Sequence, residues 1–201
     1  MADREYRILQ FQPEVRVGTN GQKMIAGYAV KWRSLSQPIC GLWVEQFDPR
    51  AFATSLTERV NDIFATWQHN MDVTLGRSPN TLNVREDDTG LYYEIDPPSW
   101  AAPQLESIER GDVRGSSFTF VAQVEEWDYE SNPNYVVRTV KQADLYEVAP
   151  VTLPAYPTST AGVRSDDAVA AMVQREIEAR KKHNRDYLER QRVLRELSLK
   201  H

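Results

Sequence analysis

The sequence predicts a mainly β fold of the α+β kind: an antiparallel β-barrel with flanking short helices, followed by a long C-terminal helix. Three observations carry this. Up to about Trp127, apolar residues fall in short runs rich in β-branched and aromatic side chains, the composition of strands. Turn-forming clusters separate those runs at close spacing, which favours a closed or nearly closed antiparallel arrangement over a parallel α/β sheet. Composition then changes after Arg164: residues 165–201 hold nine Lys or Arg and seven Asp or Glu, with neither Gly nor Pro.

Strands are expected at 6–11, 24–32, 63–67, 81–85 and 91–95. Asp87-Asp-Thr-Gly90 supplies a turn with glycine where positive φ is needed, so 82–95 reads as a hairpin. A second hairpin is expected from 118–127 and 135–140, interrupted by Glu130-Ser-Asn-Pro-Asn134. Short helices fit 49–56 and 101–110, the latter stopped by Gly111. Ser165-Asp-Asp can cap a single helix over 165–201. Its apolar stripes, Val169, Met172, Val173 and Ile177, then Tyr187, Leu188, Leu194 and Leu197, are separated by Arg180-Lys-Lys-His-Asn184. That pattern reads as a solvated helix with one packed face, or as a tether or self-association helix making a homo-oligomer. The division expected is therefore a domain over 1–164 and a helical segment over 165–201.

Charge and cysteine content narrow the function. With 24 basic and 29 acidic residues the net charge is -5, and no basic stripe lies in the first 160 residues, so no nucleic-acid partner is expected. The single cysteine, Cys40, forms no internal disulfide and suits a reducing, cytoplasmic compartment. No apolar signal core and no membrane-length run is found, so no membrane association is expected. The nine glycines form no phosphate-cradling loop, and neither a metal site nor a cofactor is indicated.

Peptide hydrolysis needs a nucleophile, a base, a group orienting that base and donors for the oxyanion. Of three histidines, His183 and His201 lie in the charged tail, whereas His69 ends the strand-like 63–67 run and opens Asn70-Met-Asp-Val-Thr-Leu-Gly-Arg77. Gly115-Ser-Ser-Phe-Thr-Phe120 offers serines at the head of a strand.

These segments together resemble the prohead serine proteases of tailed bacteriophages (caudoviruses), a family distantly related in fold to the herpesvirus assembly proteases. Four blocks carry the resemblance, in order, across about residues 4–164. Ile25-Ala-Gly-Tyr-Ala-Val30 precedes Glu45-Gln-Phe-Asp-Pro-Arg-Ala-Phe52; Gln68-His-Asn precedes Leu75-Gly-Arg77; then come Gly115-Ser-Ser-Phe-Thr-Phe120 and Leu145-Tyr-Glu-Val-Ala-Pro-Val-Thr-Leu-Pro-Ala-Tyr-Pro157. Thr119 stands where the family often has glycine, and Ala149 where it often has serine.

The resemblance implies a herpesvirus-protease-like barrel and a serine endopeptidase inside the procapsid, in the host cytoplasm. It would cleave the scaffold, the major capsid protein and itself. It also assigns the nucleophile to Ser117 rather than Ser116, with His69 as base. For the third residue Glu147 is preferred, since a carboxylate facing the imidazole fixes its tautomer. Asp144, sent to the opposite face by strand alternation and read as a turn residue, and Asp72, read as a loop residue, stay open. Gly115, Arg164 and Arg77 are the candidates for helping at the oxyanion, Arg77 reading better as an exposed ion-pair residue. The competing reading is a non-catalytic capsid assembly or scaffolding protein that retains the fold. A cytosolic esterase is disfavoured because no Gly-x-Ser-x-Gly elbow is present.

Overall fold

The structure, a computed structural model, describes residues 4–18, 21–39, 41–132 and 134–152, together with the single positions 171, 175 and 178. Among the described residues there are ten strands, most of them built on alternating or continuous apolar runs: β1 (Glu5–Leu9), β2 (Glu14–Val17), β3 (Lys23–Lys31), β4 (Trp43–Phe47), β5 (Phe64–Trp67), β6 (Asn70–Arg77), β7 (Leu82–Glu86), β8 (Gly90–Ile95), β9 (Gly115–Asp128) and β10 (Val136–Val151). Two short helices, α1 (Ala53–Glu58) and α2 (Ala102–Glu109), complete the described body. Both lie where short helices were expected, α1 beginning a few residues later. The expected helix over 165–201 lies outside the described residues except at 171, 175 and 178, each of which is helical.

The strands do not close into the expected barrel. Among the described residues they form two sheets: β1-β9-β10-β5-β6 with β4 also on β10, and β2-β3-β8-β7. Nor is the pairing wholly antiparallel. The chain leaves β4, passes through α1 and returns as β5, and this crossover sets both strands parallel to β10, β4 at Val136–Val140 and β5 at Glu147–Val148. The small sheet stops at edges that discourage further pairing: Glu14 and Arg16 on β2, Asn83 and Arg85 on β7, all exposed. The second expected hairpin is correct in kind, but β10 runs sixteen residues, well beyond 140.

One core joins the sheets. Ile25, Leu91, Tyr93 and Ile95 of the small sheet and Phe118, Phe120, Leu145 and Val148 of the large one are all buried in a single cluster. At its centre the rings of Phe47, Phe52, Phe118 and Phe120 meet edge-on or stacked at 5.2–5.9 Å. Removing any one of those rings would cost about 3–5 kcal/mol. Gly90 permits the close β3–β8 approach, because a Cβ there would lie 2.0 Å from the Val30 carbonyl oxygen. Gly111, at φ +76°, ends α2 as expected. The Phe118 and Phe120 side chains face this core, so the alternate residues Ser117 and Thr119 face the other side of β9.

Candidate active site

Three neighbouring elements deliver the sequence-nominated side chains to one place. Ser117 on β9 is opposite Ala149 on β10, and Glu147 on β10 is opposite Thr119 on β9 and Phe64 on β5. His69 sits on the two-residue turn that joins β5 to β6. His69 Nε2 lies 2.6 Å from Ser117 Oγ, and His69 Nδ1 lies 3.0 Å from Glu147 Oε2.

The turn is unusual in composition. Gln68 and His69 have φ of +57° and +59°, the pair of left-handed conformations that suits a tight hairpin but ordinarily selects Asn and Gly. Each such non-glycine residue costs roughly 1–2 kcal/mol. The surroundings hold the strain. Gln68 N–H donates to Pro150 O at 3.2 Å, its Nε2 donates to Thr152 Oγ1 at 2.9 Å, and Thr152 N–H donates to its Oε1 at 3.0 Å. The imidazole is thereby fixed relative to β10, which carries Glu147.

Glu147 is buried, 6% exposed, and burial alone would push its carboxyl up. Hydrogen bonds from His69, Thr66 and Thr119 outweigh burial and hold it below the ordinary glutamate value. Thr119 Oγ1 donates to Oε2 at 2.7 Å, and Thr66 Oγ1 donates to Oε1. The departure from glycine at Thr119 thus supplies a donor to the carboxylate. Thr66 was missed from sequence; a threonine on an apolar strand carries no signal of what it faces. An ionised Glu147 only accepts, so Nδ1 carries a proton and, in the neutral ring, Nε2 is the acceptor facing Ser117.

The remaining candidates lie elsewhere. Asp144 is mid-strand in β10, not in a turn, and accepts from Gln123 Nε2 at 2.9 Å. The alternation argument fails there, because a bulge between Leu145 and Glu147 leaves Asp144 opposite Val121 and Glu147 opposite Thr119, on one face of the sheet. Asp72 is an exposed strand residue of β6 rather than a loop residue, its N–H bonded to Asn70 Oδ1. Arg77 donates through Nε to Asn61 O and lies 3.9 Å from Asp62. Arg164 lies outside the described residues. Ser116 Oγ points into the core, donating to Phe11 O at 2.9 Å and accepting from Tyr93 OH at 2.9 Å. Among the described residues no group of three or more His, Cys, Asp and Glu could hold a metal, and no helix is long and apolar enough to cross a membrane.

The arrangement is therefore a buried hydroxyl, an imidazole and a carboxylate in a hydrogen-bonded chain, the chemistry of acyl transfer. Comparison with known proteins bears on which proteins share it. The structure is similar to that of the capsid assembly protease of bacteriophage T4, with 11% sequence identity and a TM-score of 0.51 over 76% of this chain and 99% of that chain; this likeness shows a shared fold. No curated protein matches the sequence. The family model of the caudovirus prohead serine protease matches residues 11–175, which includes every block from Ile25 to Pro157, and the chain accordingly belongs to that family.

Proposed function

We propose that this chain is the serine endopeptidase of procapsid maturation and that Ser117, His69 and Glu147 form its catalytic triad. The observation that carries this reading is the continuous contact from Ser117 Oγ through both ring nitrogens of His69 to Glu147, in a member of a serine peptidase family. His69 Nε2 takes the Ser117 hydroxyl proton as Oγ bonds to the scissile carbonyl carbon, and returns it to the leaving amine as the C–N bond breaks. Water then loses a proton to His69, attacks the acyl-enzyme and releases the acid, restoring Ser117. Glu147 stays ionised throughout and stabilises the imidazolium, using no cofactor.

The substrates of this reading are the scaffold, the major capsid protein and the chain itself, met inside the assembling procapsid in the host cytoplasm. Residues 165–201 act as a helical tether to scaffold or capsid subunits, and self-cleavage near Ala161-Gly-Val-Arg164 releases the 1–164 domain; apart from positions 171, 175 and 178, both segments lie outside the described residues. Intact mass of incubated protein tests the self-cleavage: a species ending near that linker should form in the wild type and stay absent in Ser117→Ala. Labelling by a serine-directed phosphonate tests the triad. Adduct on Ser117, lost in Ser117→Ala and much reduced in His69→Ala, is the expected result. A folded protein that takes no adduct, either as wild type or with Glu5→Gln plus Arg4→Ala, would favour the non-catalytic assembly protein instead.

A further inference from the structure

The proposed nucleophile is wholly buried, and the protein's own first described strand lies directly along it. β1 pairs antiparallel along β9, with Ile8 opposite Ser117, Arg7 opposite Phe118 and Tyr6 opposite Thr119. The Ser117 hydroxyl lies 2.8 Å from the Arg7 carbonyl oxygen, and the Tyr6 ring packs on the His69 ring at 5.4 Å between centroids. An extended peptide can reach Ser117 along β9 only by taking the edge that β1 now fills. Strand addition to a sheet edge is a general mode of peptide binding.

The contact with Arg7 also bears on chemistry. Ser117 has one hydroxyl proton, and both Arg7 O and a neutral His69 Nε2 require it as a hydrogen-bond donor. While β1 is docked, a main-chain carbonyl competes with the base for the proton that catalysis must transfer. The contact is oxygen to oxygen, a hydrogen bond rather than an attack on the carbonyl carbon, so β1 occupies the edge without being positioned for cleavage.

β1 is held in a way that permits release. Arg4 stacks on Tyr146 at 4.1 Å. Glu5 and Arg7 enter a buried ion cluster: Arg138 bonds Glu5 at 2.6 Å, Glu45 at 2.7 Å and Glu125 at 2.5 Å, and Arg7 bonds Glu5 at 2.6 Å and Glu45 at 2.9 Å. Stranding a buried charge would normally forbid such a strand from leaving. Here β1 brings one negative and one positive group to the cluster, so its departure leaves the cluster's net charge unchanged. Arg138 keeps Glu45 and Glu125 as partners.

We propose that β1 is an internal plug on the substrate-binding edge of β9, and that the protease is latent until an extended peptide or a change in the assembling particle displaces it. The proposal rests on reading Ser117 as the nucleophile. It names the substrate form, an unfolded segment able to add as a strand, and explains how an enzyme built into its own substrate shell stays inactive beforehand.

Thiol accessibility tests the cover independently of catalysis. Full-length protein carrying Ser117→Cys and Cys40→Ser is treated with iodoacetamide, with and without Glu5→Gln plus Arg4→Ala. Alkylation at position 117 should be about tenfold faster or more in the loosened protein at unchanged near-ultraviolet circular dichroism, because it follows local opening. In the wild type, β1 amides should exchange with deuterium well before those of the β9–β10 ladder. Equal alkylation rates, or β1 amides as protected as that ladder, overturn the plug. Phosphonate capture of Ser117 should likewise be faster with Glu5→Gln plus Arg4→Ala. Capture at equal rates overturns the plug alone, whereas no capture in either protein overturns the nucleophile reading and the plug with it.

Discussion

Gln68 and Thr152 exchange two hydrogen bonds, side-chain amide to hydroxyl at 2.9 Å and main-chain N–H to amide oxygen at 3.0 Å, and this pair ties the histidine-bearing turn to the end of β10. The same turn holds two side-chain-bearing residues at positive φ, so it is strained where it carries His69.

On the proposed triad, Gln68 acts as a positioning residue. Gln68→Ala should lower kcat about tenfold with little change in KM, since misplacing a base costs transition-state stabilisation without removing a substrate contact. Gln68→Glu, which keeps an acceptor for the Thr152 N–H, should recover part of the loss. Steady-state hydrolysis of a peptide substrate reads both, and an unchanged kcat in Gln68→Ala would contradict the role.

The structural sources of these effects differ in how far they could be read from the chain. The 82–95 hairpin and the stop at Gly111 were legible and the structure has both, but Gly90 does not take the positive φ expected of it: it is needed because a Cβ would collide with the Val30 carbonyl. The strands β2 and β6 were missed because their residues are mostly exposed and form no apolar run. The parallel pairing of β4 and β5 with β10 depends on a crossover that no local pattern encodes. At the site, His69, Ser117 and Glu147 were nominated and are brought within hydrogen-bond distance. The simple period-two argument for Asp144 failed, since one bulge at Tyr146 shifts the face of all that follows. Thr66 reaches Glu147 across 81 positions, and Glu5 reaches Arg138 across 133, separations over which sequence periodicity carries no information.

Glu147 gives stability a definite pH dependence. Its folded value lies below the ordinary 4.5, so the carboxylate contributes stability that is complete above that pH and is lost as pH falls below it through the folded value. Glu5 acts in the same direction: burial raises it, but the bonds and charges of Arg138 and Arg7 win. Urea midpoints of the wild type should therefore fall below pH 4.5, and Glu147→Gln should show a shallower fall. A parallel dependence in both proteins would mean that Glu147 gains nothing on folding.

Arg138 should be among the most sensitive positions in the fold. It is 3% exposed, and although burial alone would disfavour its charge, the hydrogen bonds it donates to Glu5 and the nearby charges of Glu45 and Glu125 keep it firmly protonated. Arg138→Ala leaves Glu45 and Glu5 buried with only Arg7 between them, which should cost about 3–5 kcal/mol in urea unfolding. Glu125→Ala removes a partner that is 35% exposed and should cost no more than about 1 kcal/mol. Comparable losses from the two variants would mean that the cluster's charges are not separated by burial as described.

The adjacent serines predict opposite labelling phenotypes. Both are fully buried, but Ser116 faces the core and Ser117 faces His69. Burial pushes the Tyr93 hydroxyl well up, so it remains a neutral donor to Ser116. Ser116→Ala strands both Tyr93 OH and the Phe11 carbonyl, which should cost about 1–3 kcal/mol of stability while phosphonate labelling of the folded protein persists. Ser117→Ala should abolish labelling and turnover at a similar stability cost of about 1–3 kcal/mol, since it strands the Arg7 carbonyl and His69 Nε2, so labelling is what separates the two serines. Thermal unfolding and adduct mass on the two variants decide it. Labelling that survived Ser117→Ala, or vanished in a folded Ser116→Ala, would move the nucleophile off Ser117.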